Sequence, residues 1–281
     1  MSFSLSFGIC NLSSIPMRFE ANDTSEMVNQ VLFGEHFKVL EKKDNWTKIE
    51  LAFDKYQGFI DTKQYQEISQ EIYNNLSSEE HKNYSGDFIN LVDFEDDFYL
   101  DFENDNSKNQ QKLTIPLGAR LPFLKDGEFN IKLKKYTYQG KIYDKKQDIT
   151  KTAMLFLNVP YLWGGKSVFG IDCSGFTQMV YKLCGYTLLR DASQQATQGT
   201  SVSFIEESKT GDVAFFDTCF DTSFDDEKSA KITHVGIILD NNTIIHAHGK
   251  VRIDTLDHNG IYNTDSKKYT HKLRIIKRFI S

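Results

Sequence analysis

The chain changes its hydrophobic rhythm about halfway along. Upstream of residue 150 the apolar positions come in short β-like runs: Gln30-Val-Leu-Phe33, His36-Phe-Lys-Val-Leu40, Trp46-Thr-Lys-Ile-Glu-Leu51 and Tyr56-Gln-Gly-Phe-Ile-Asp61. Turn residues separate them every few positions, and strands so spaced build small barrels. From Gln64 to Leu76 the apolar residues fall at helical spacing in a polar stretch, which predicts a connector helix at a domain boundary. Strand-like runs return over 86–146, including Leu113-Thr-Ile-Pro-Leu-Gly-Ala-Arg-Leu-Pro122 and Tyr136-Thr-Tyr-Gln-Gly140, and suggest a second, more divergent barrel.

Downstream the pattern turns helical at Cys173, Phe176, Val180, Leu183 and Cys184, with Asp172 where an N-cap sits. Cys173 then lies in the first turn, where unpaired N–H groups and the positive end of the helix dipole favour an anion. Thiols so placed have pKa values lowered to roughly 3.5 to 7.5, so a thiolate near neutral pH is expected. A base is available in Thr233-His234-Val-Gly-Ile-Ile-Leu239, Asp240-Asn-Asn242 and Thr243-Ile-Ile-His246-Ala-His248, which read as a β-hairpin. With 240–242 as the loop, His234, His246 and His248 share a face. His248 lies opposite His234 and His246 on a diagonal, and this geometry does not rank the two.

Each signal has a plainer reading. A lone cysteine is more often core, and Cys10, Cys184 and Cys219 keep that reading; only Cys173 sits in an ordered motif. His246 and His248, with His234, have the makings of a three-imidazole zinc site. That reading leaves the cysteine motif unexplained, so neither metal nor cofactor is expected. His36, His81, His258 and His271 read as solvated or capping residues, and Trp163, beside two glycines, as core or as a cleft-wall contact. The acidic run from Asp93 to Asp105 reads as a solvated loop or hairpin tip. The segment Asp221–Ala230, just before His234, reads as a surface loop beside the site.

Composition narrows the class. At 281 residues and 40% hydrophobic content the chain can bury a sizeable core in two or three domains. A net charge of −6 with scattered basic residues argues against nucleic acid or an anionic membrane as the main partner. The start, Met1-Ser-Phe-Ser-Leu-Ser-Phe-Gly-Ile-Cys10, has no basic segment followed by a continuous apolar one, so neither a signal peptide nor a transmembrane helix is expected. Four cysteines without a Cys-X-X-Cys pair fit a reducing compartment, and the cytoplasm is the expected location.

Several ordered elements then converge: Tyr161-Leu-Trp-Gly-Gly165, Asp172-Cys-Ser-Gly175, Gly211-Asp-Val-Ala-Phe-Phe216, His234-Val-Gly236 and Ile245-His-Ala247. Together they resemble the NlpC/p60-type cysteine peptidases, bacterial enzymes that cut peptidoglycan stem peptides on a papain-like α+β fold. The resemblance implies Cys173 as nucleophile, His234 as base and His246, twelve residues on, as the group that orients the base. It also implies a tyrosine near the oxyanion, matched by Tyr161. Leu32-Phe-Gly-Glu35, Trp46 and Tyr56-Gln-Gly-Phe59 resemble a bacterial SH3-like barrel. The expected organisation is a first barrel over 1–65, a connector helix over 66–85, a second barrel over 86–146 and a catalytic domain over 147–281.

The whole arrangement is similar to dipeptidyl-peptidase VI-type enzymes, which act on released murein peptides. That likeness implies hydrolysis between γ-D-Glu and a diamino acid, lysine or diaminopimelate, in peptides with a free N-terminal L-Ala. The amine is expected to meet Asp172 and Ser174, whose plainer role is helix capping. Glu26 and Tyr56 of the first barrel, and Ser193, are expected as further contacts. Two other classes stay open: an idle binding module for cell-wall peptide, and a cysteine acyltransferase that uses the same thioester. Oligomeric state is not legible.

Overall fold

The computed structural model describes residues 6–78, 83–95, 110–144, 147–217 and 231–280. His81, Cys219, Asp221–Ala230 and much of the acidic run lie outside the described residues. The chain forms two compact units, Met1–Asp144 and Lys145–Ser281. Among the described residues no helix is long and apolar enough to cross a membrane.

In the first unit the expected strands pair antiparallel. β1 (Ser6–Ile9), β2 (Ser14–Arg18), β3 (Met27–Leu32), β4 (His36–Lys43), β5 (Trp46–Leu51), β6 (Gln57–Asp61) and β7 (Gln66–Ile68) form one sheet in the order β3-β2-β6-β5-β4-β1-β7. Alternation along β2 and β5 turns Ile15, Met17, Ile49 and Leu51 inward, where they meet Val31, Phe37 and Ile60 in a dry core. The helical stretch is shorter than its apolar spacing predicts. A 3-10 turn (Thr62–Gln64) and β7 take its first part, and α1 (Gln70–Ser77) begins where the Ser69 hydroxyl accepts from the Ile72 N–H. Tertiary pairing of β7 with β1 overrides the local helical preference there.

Residues 86–146 hold a four-stranded antiparallel sheet of β8 (Ile89–Glu95), β9 (Gln110–Pro116), β10 (Glu128–Ile131) and β11 (Lys134–Tyr138), in the order β10-β11-β8-β9. Its apolar face shares one core with Ile9, Phe33 and Leu76, and Phe129 stacks on Tyr136 at 5.1 Å. His36, read from sequence as solvated or capping, is buried there against Tyr73, with Nδ1 at 3.3 Å from Arg120 and Nε2 at 3.0 Å from Ser77.

The second unit carries the chemistry. Helix α2 (Ile149–Met154) is capped by Asp148 and leads through the hairpin β12 (Lys166–Ser167) and β13 (Gly170–Ile171) into α3 (Cys173–Leu183), then α4 (Ala192–Gln195). Strands β14 (Thr200–Val202), β15 (Val213–Asp217), β16 (His234–Leu239), β17 (Thr243–His248), β18 (Lys250–Leu256), β19 (Gly260–Asn263) and β20 (Lys268–Arg278) follow in the order β14-β20-β15-β16-β17-β18-β19. β19 also pairs with β20, so six strands close into a barrel with β14 at its side. One apolar cluster draws Phe216, Ile238, Ile244, Leu256, Ile261 and Ile276 from β15 to β20 in turn, which identifies that face as the barrel interior. The opposite face of β16 and β17 packs against α3, whose residues are all buried. This is a mixed helix and strand fold.

Closure depends on Gly260. It has φ +139°, and a Cβ there would collide with the His271 carbonyl of the neighbouring strand. Gly249 also has positive φ, +72°, but nothing lies near its Cβ position. Gly249→Ala is therefore expected to carry only local backbone strain, about 1 kcal/mol. Gly260→Ala is expected to cost several times more and to loosen β19 from β20. Denaturant unfolding of the two variants side by side checks this, and equal losses would exclude a closure role for Gly260.

Candidate active site

Cys173 owes its position to a helix start made of short-range bonds. Asp172 is extended (φ −90°, ψ 176°), and its Oδ1 accepts from the Gly175 N–H at 2.6 Å. Its Oδ2 accepts from the Gly164 N–H at 2.9 Å, which ties the Tyr161–Gly165 segment to the helix. Gly175 is where that segment passes closest, since any Cβ would strike the Gly165 carbonyl. Gly175, two residues after Cys173, thus lets the helix start and this segment touch.

A buried ion pair underlies this turn. Arg190, 1% exposed, donates from Nη1 to Asp172 Oδ1 at 3.0 Å and to Ser174 Oγ at 2.9 Å, and from Nη2 to Asp172 Oδ2 at 2.6 Å. Gln195, fully buried, donates to the Ser174 and Leu189 carbonyls and accepts from Thr177 Oγ1, joining α4 to α3. Both Asp172 oxygens are therefore engaged by helix, loop and guanidinium. Ser193 is exposed on α4.

The hairpin adopts the register expected from a 240–242 loop: Leu239 pairs with Thr243 and Gly236 with His246. Asn241 and Asn242 take left-handed φ values of 59° and 56°, which asparagine tolerates better than most residues. His234 and His246 consequently share the inner face, with His234 Nε2 at 2.8 Å from His246 Nδ1. His246 Nε2 lies 3.1 Å from Oδ2 of Asp254 on β18. His248 reaches the same cluster from an exposed position, 6.4 Å from His234 between ring centroids.

Two residues of this cluster were not legible in sequence. Asp254 is buried, and the Arg252 guanidinium embraces it through Nε at 2.7 Å and Nη2 at 2.9 Å. The alternation of Arg252 and Asp254 on the strand after the hairpin is the only signal that could have found it. His271, expected to be solvated or capping, is instead buried and stacked on His234, with centroids 4.0 Å apart and planes 23° apart. Barrel closure through β20 brings it there from 37 positions away, which no local pattern encodes. Among the described residues, no group of three or more His, Cys, Asp or Glu is arranged to hold a metal ion.

Burial sets the protonation states. It pushes the Cys173 thiol up to about 12, with the Asp172 carboxylate adding to the effect, while backbone hydrogen bonds from Val235 and Ser174 and the Arg190 charge oppose it. The thiolate expected from the helix N-terminus alone is thus corrected. In a dry pocket beside a carboxylate, desolvation outweighs the helix dipole. Burial likewise drives His234 well below its ordinary value, helped by His271, His246 and His248. It lowers His246 against the pull of Asp254, and brings His271 to about 3. Burial raises the Asp254 carboxyl, but hydrogen bonds from His246 and Arg252 outweigh it and bring it to about 2. Burial therefore disfavours the charged form of both the Cys173 thiol and the His234 imidazole. Tyr161, half-buried on the segment bound to Asp172, is raised by burial and then by the Cys173 and Asp172 charges, so its hydroxyl keeps its proton as a donor. Trp163, next but one along, is 62% exposed, which excludes a core role.

The remaining expected contacts belong to the first unit. Glu26 is exposed just ahead of β3, and Tyr56 is half-buried against the first barrel's core.

Residues 158–272 match the NlpC/P60 family, and residues 17–64 match the bacterial dipeptidyl-peptidase Sh3 domain. The chain is 25% identical over 248 residues to a gamma-D-glutamyl-L-lysine dipeptidyl-peptidase of Bacillus cereus, covering 80% of this chain and 68% of that protein. It is 24% identical over 253 residues to dipeptidyl-peptidase 6 of Lysinibacillus sphaericus, covering 83% and 85%. A gamma-D-glutamyl-L-lysine dipeptidyl-peptidase of Bacillus subtilis is 41% identical over 101 residues, 36% of this chain but 31% of that relative's length. The crystal structure of an NlpC/P60 family protein from Bacillus cereus has the same fold, with a TM-score of 0.74 at 20% identity over 98% of this chain and 100% of that one. The chain is a peptidase with an NlpC/P60 catalytic domain and an N-terminal bacterial SH3 domain.

Two outcomes follow from the site. Arg190→Ala leaves a buried carboxylate without its counter-charge at the nucleophile's helix cap, so it is expected to cost about 3–5 kcal/mol. The double variant Asp172→Asn, Arg190→Gln should recover part of that loss in denaturant unfolding. Second, His234, His246 and His271 are neutral in the fold but take up protons below about 6.5 when unfolded. The unfolded chain then binds more protons, so stability is full above that pH and falls as pH drops below it, by up to about 1.4 kcal/mol per pH unit for each group. Unfolding midpoints between pH 8 and 5 read this directly, and His271→Phe should make the fall shallower.

Proposed function

We propose that the protein hydrolyses the bond between γ-D-Glu and an L-diamino acid in murein stem peptides that carry a free N-terminal L-Ala, and that it serves cytoplasmic recycling of those peptides. The coarser statement, a peptidase of peptidoglycan-derived peptides, is what the relatives' names support. One observation supports the reading: the Cys173 thiol, at the first turn of α3, meets the backbone N–H of Val235, the residue after His234, within residues that match the NlpC/P60 family, in a chain that also carries a dipeptidyl-peptidase type of SH3 domain.

The chemistry suits a neutral resting pair. As Cys173 Sγ attacks the amide carbonyl, its proton passes to His234, which removes the need for a standing thiolate. The Tyr161 hydroxyl and the Cys173 N–H are the proposed donors to the oxyanion of the tetrahedral intermediate. Its collapse transfers the His234 proton to the leaving amine of the diamino acid and leaves a thioester on Cys173. Water, deprotonated by His234, then attacks the thioester carbon; the proton returns to sulfur and the acid is released.

Ser174, Ser193 and the Asp172 carboxylate are the proposed contacts for the substrate's ammonium. Because Arg190 already balances Asp172, accepting hydrogen bonds from the ammonium, more than free negative charge, is the contribution expected of these oxygens.

Mass spectrometry of L-Ala-γ-D-Glu-diamino acid tripeptide and its N-acetylated form, incubated with wild type and Cys173→Ala, tests the reading. Release of L-Ala-D-Glu by wild type alone, from the free-amine peptide alone, is the expected result. Equal cleavage of the acetylated peptide would remove the amine requirement. No cleavage would overturn the assignment in favour of a binding module or an acyltransferase.

A further inference from the structure

The Asp254 carboxylate lies two hydrogen bonds from the proposed base, and its own surroundings fix where the site's protons are. It accepts from Arg252 at both oxygens and faces the Thr264 N–H at 3.3 Å, the Thr264 hydroxyl at 3.4 Å and Asn263 Nδ2 at 3.5 Å. A carboxylate so surrounded is ionised and can only accept. His246 Nε2, 3.1 Å away, must therefore carry the hydrogen of that bond.

The remaining positions follow by counting hydrogens. A neutral imidazole has one N–H, so His246, donating from Nε2, presents a lone pair at Nδ1. His234 Nε2 sits 2.8 Å from that lone pair and must donate to it. His234 then has no hydrogen left, and its Nδ1 is the basic nitrogen. The reverse arrangement sets a lone pair of His246 against a carboxylate with no hydrogen between them, and protonates His234 Nδ1, which abolishes the base. Burial of both rings keeps each neutral, so neither escapes the choice by taking a second proton.

We propose that Asp254, held by Arg252, is a positioning residue that sets the tautomers of His246 and His234 and so leaves Nδ1 of His234 free to accept the Cys173 proton. Arg252 balances the carboxylate's charge, so the relay orients the imidazoles without adding a net negative charge to the barrel interior. The use of this tautomer in peptide cleavage rests on the proposed function; the tautomer itself is a property of the resting protein.

Nitrogen-15 NMR of histidine-labelled protein at pH 8 reads the tautomers directly, with His234 and His246 both expected as Nε2–H forms. An Nδ1–H form of His234 in wild type would overturn the proposal whether or not the tripeptide is a substrate. In kinetics, Asp254→Ala is expected to lower kcat by about 10²-fold, within the range a positioned base contributes, and to leave KM within about twofold. On a His246→Ala background it should cost nothing further, because the residue through which it acts is gone. An equal loss on both backgrounds would show that Asp254 merely holds β18 in place, and would end the positioning role.

Discussion

The pairing of β19 with β20 is the constraint on which this site depends. It closes six strands into a ring, so residues far apart along the chain, Phe216 and Ile276 among them, must share one interior. Apolar side chains fill part of that interior: Phe216, Ile238, Ile244, Leu256, Ile261 and Ile276. Two residues along β16 and β17 from Ile238 and Ile244, past Gly236 on one strand, the same inward face carries His246 and then His234 and His248. β18 adds Asp254 and β20 adds His271. Apart from the exposed His248, these polar groups are buried because the closed ring leaves them no other place, and each then needs a partner.

Burial has a chemical consequence that the helix N-terminus alone does not foretell. A first-turn thiol is favoured as an anion by the helix, yet Cys173 is enclosed beside Asp172 and stays protonated, while three enclosed imidazoles stay neutral. Burial thus favours the uncharged forms of the thiol and the imidazoles, which suits the proton transfer proposed for attack. That arrangement makes the orientation of the imidazoles decisive, because a neutral base accepts at one nitrogen only.

The ion pairs of Asp172 and Asp254 serve different ends. Arg190 compensates Asp172 and thereby secures the turn that carries Cys173, the proposed nucleophile. Arg252 compensates Asp254 and secures its contact with His246, behind the proposed base. In each case a carboxylate does directional work, capping a helix or fixing an imidazole, that an uncharged side chain would do less rigidly, and the guanidinium makes its burial tolerable.

Much of this was legible in the sequence, for reasons that are local. The first turn of α3 follows from Asp172 and the apolar spacing after it. The hairpin register follows from Asp240-Asn-Asn242, whose last two residues accept left-handed backbone. Four strands of the first sheet follow from the short apolar runs at Gln30–Phe33, His36–Leu40, Trp46–Leu51 and Tyr56–Asp61. The pairing of β7 with β1, the burial of His36 against Tyr73, the stack of His271 on His234 and the contact of Asp254 with His246 were not legible. Each joins residues from elements whose proximity no periodicity states. The sequence by itself determined which residue types could do chemistry and on which local elements they ride. Only the tertiary structure decided which of them meet and with what charge, because ring closure sets proximity, and the water excluded by closure sets protonation.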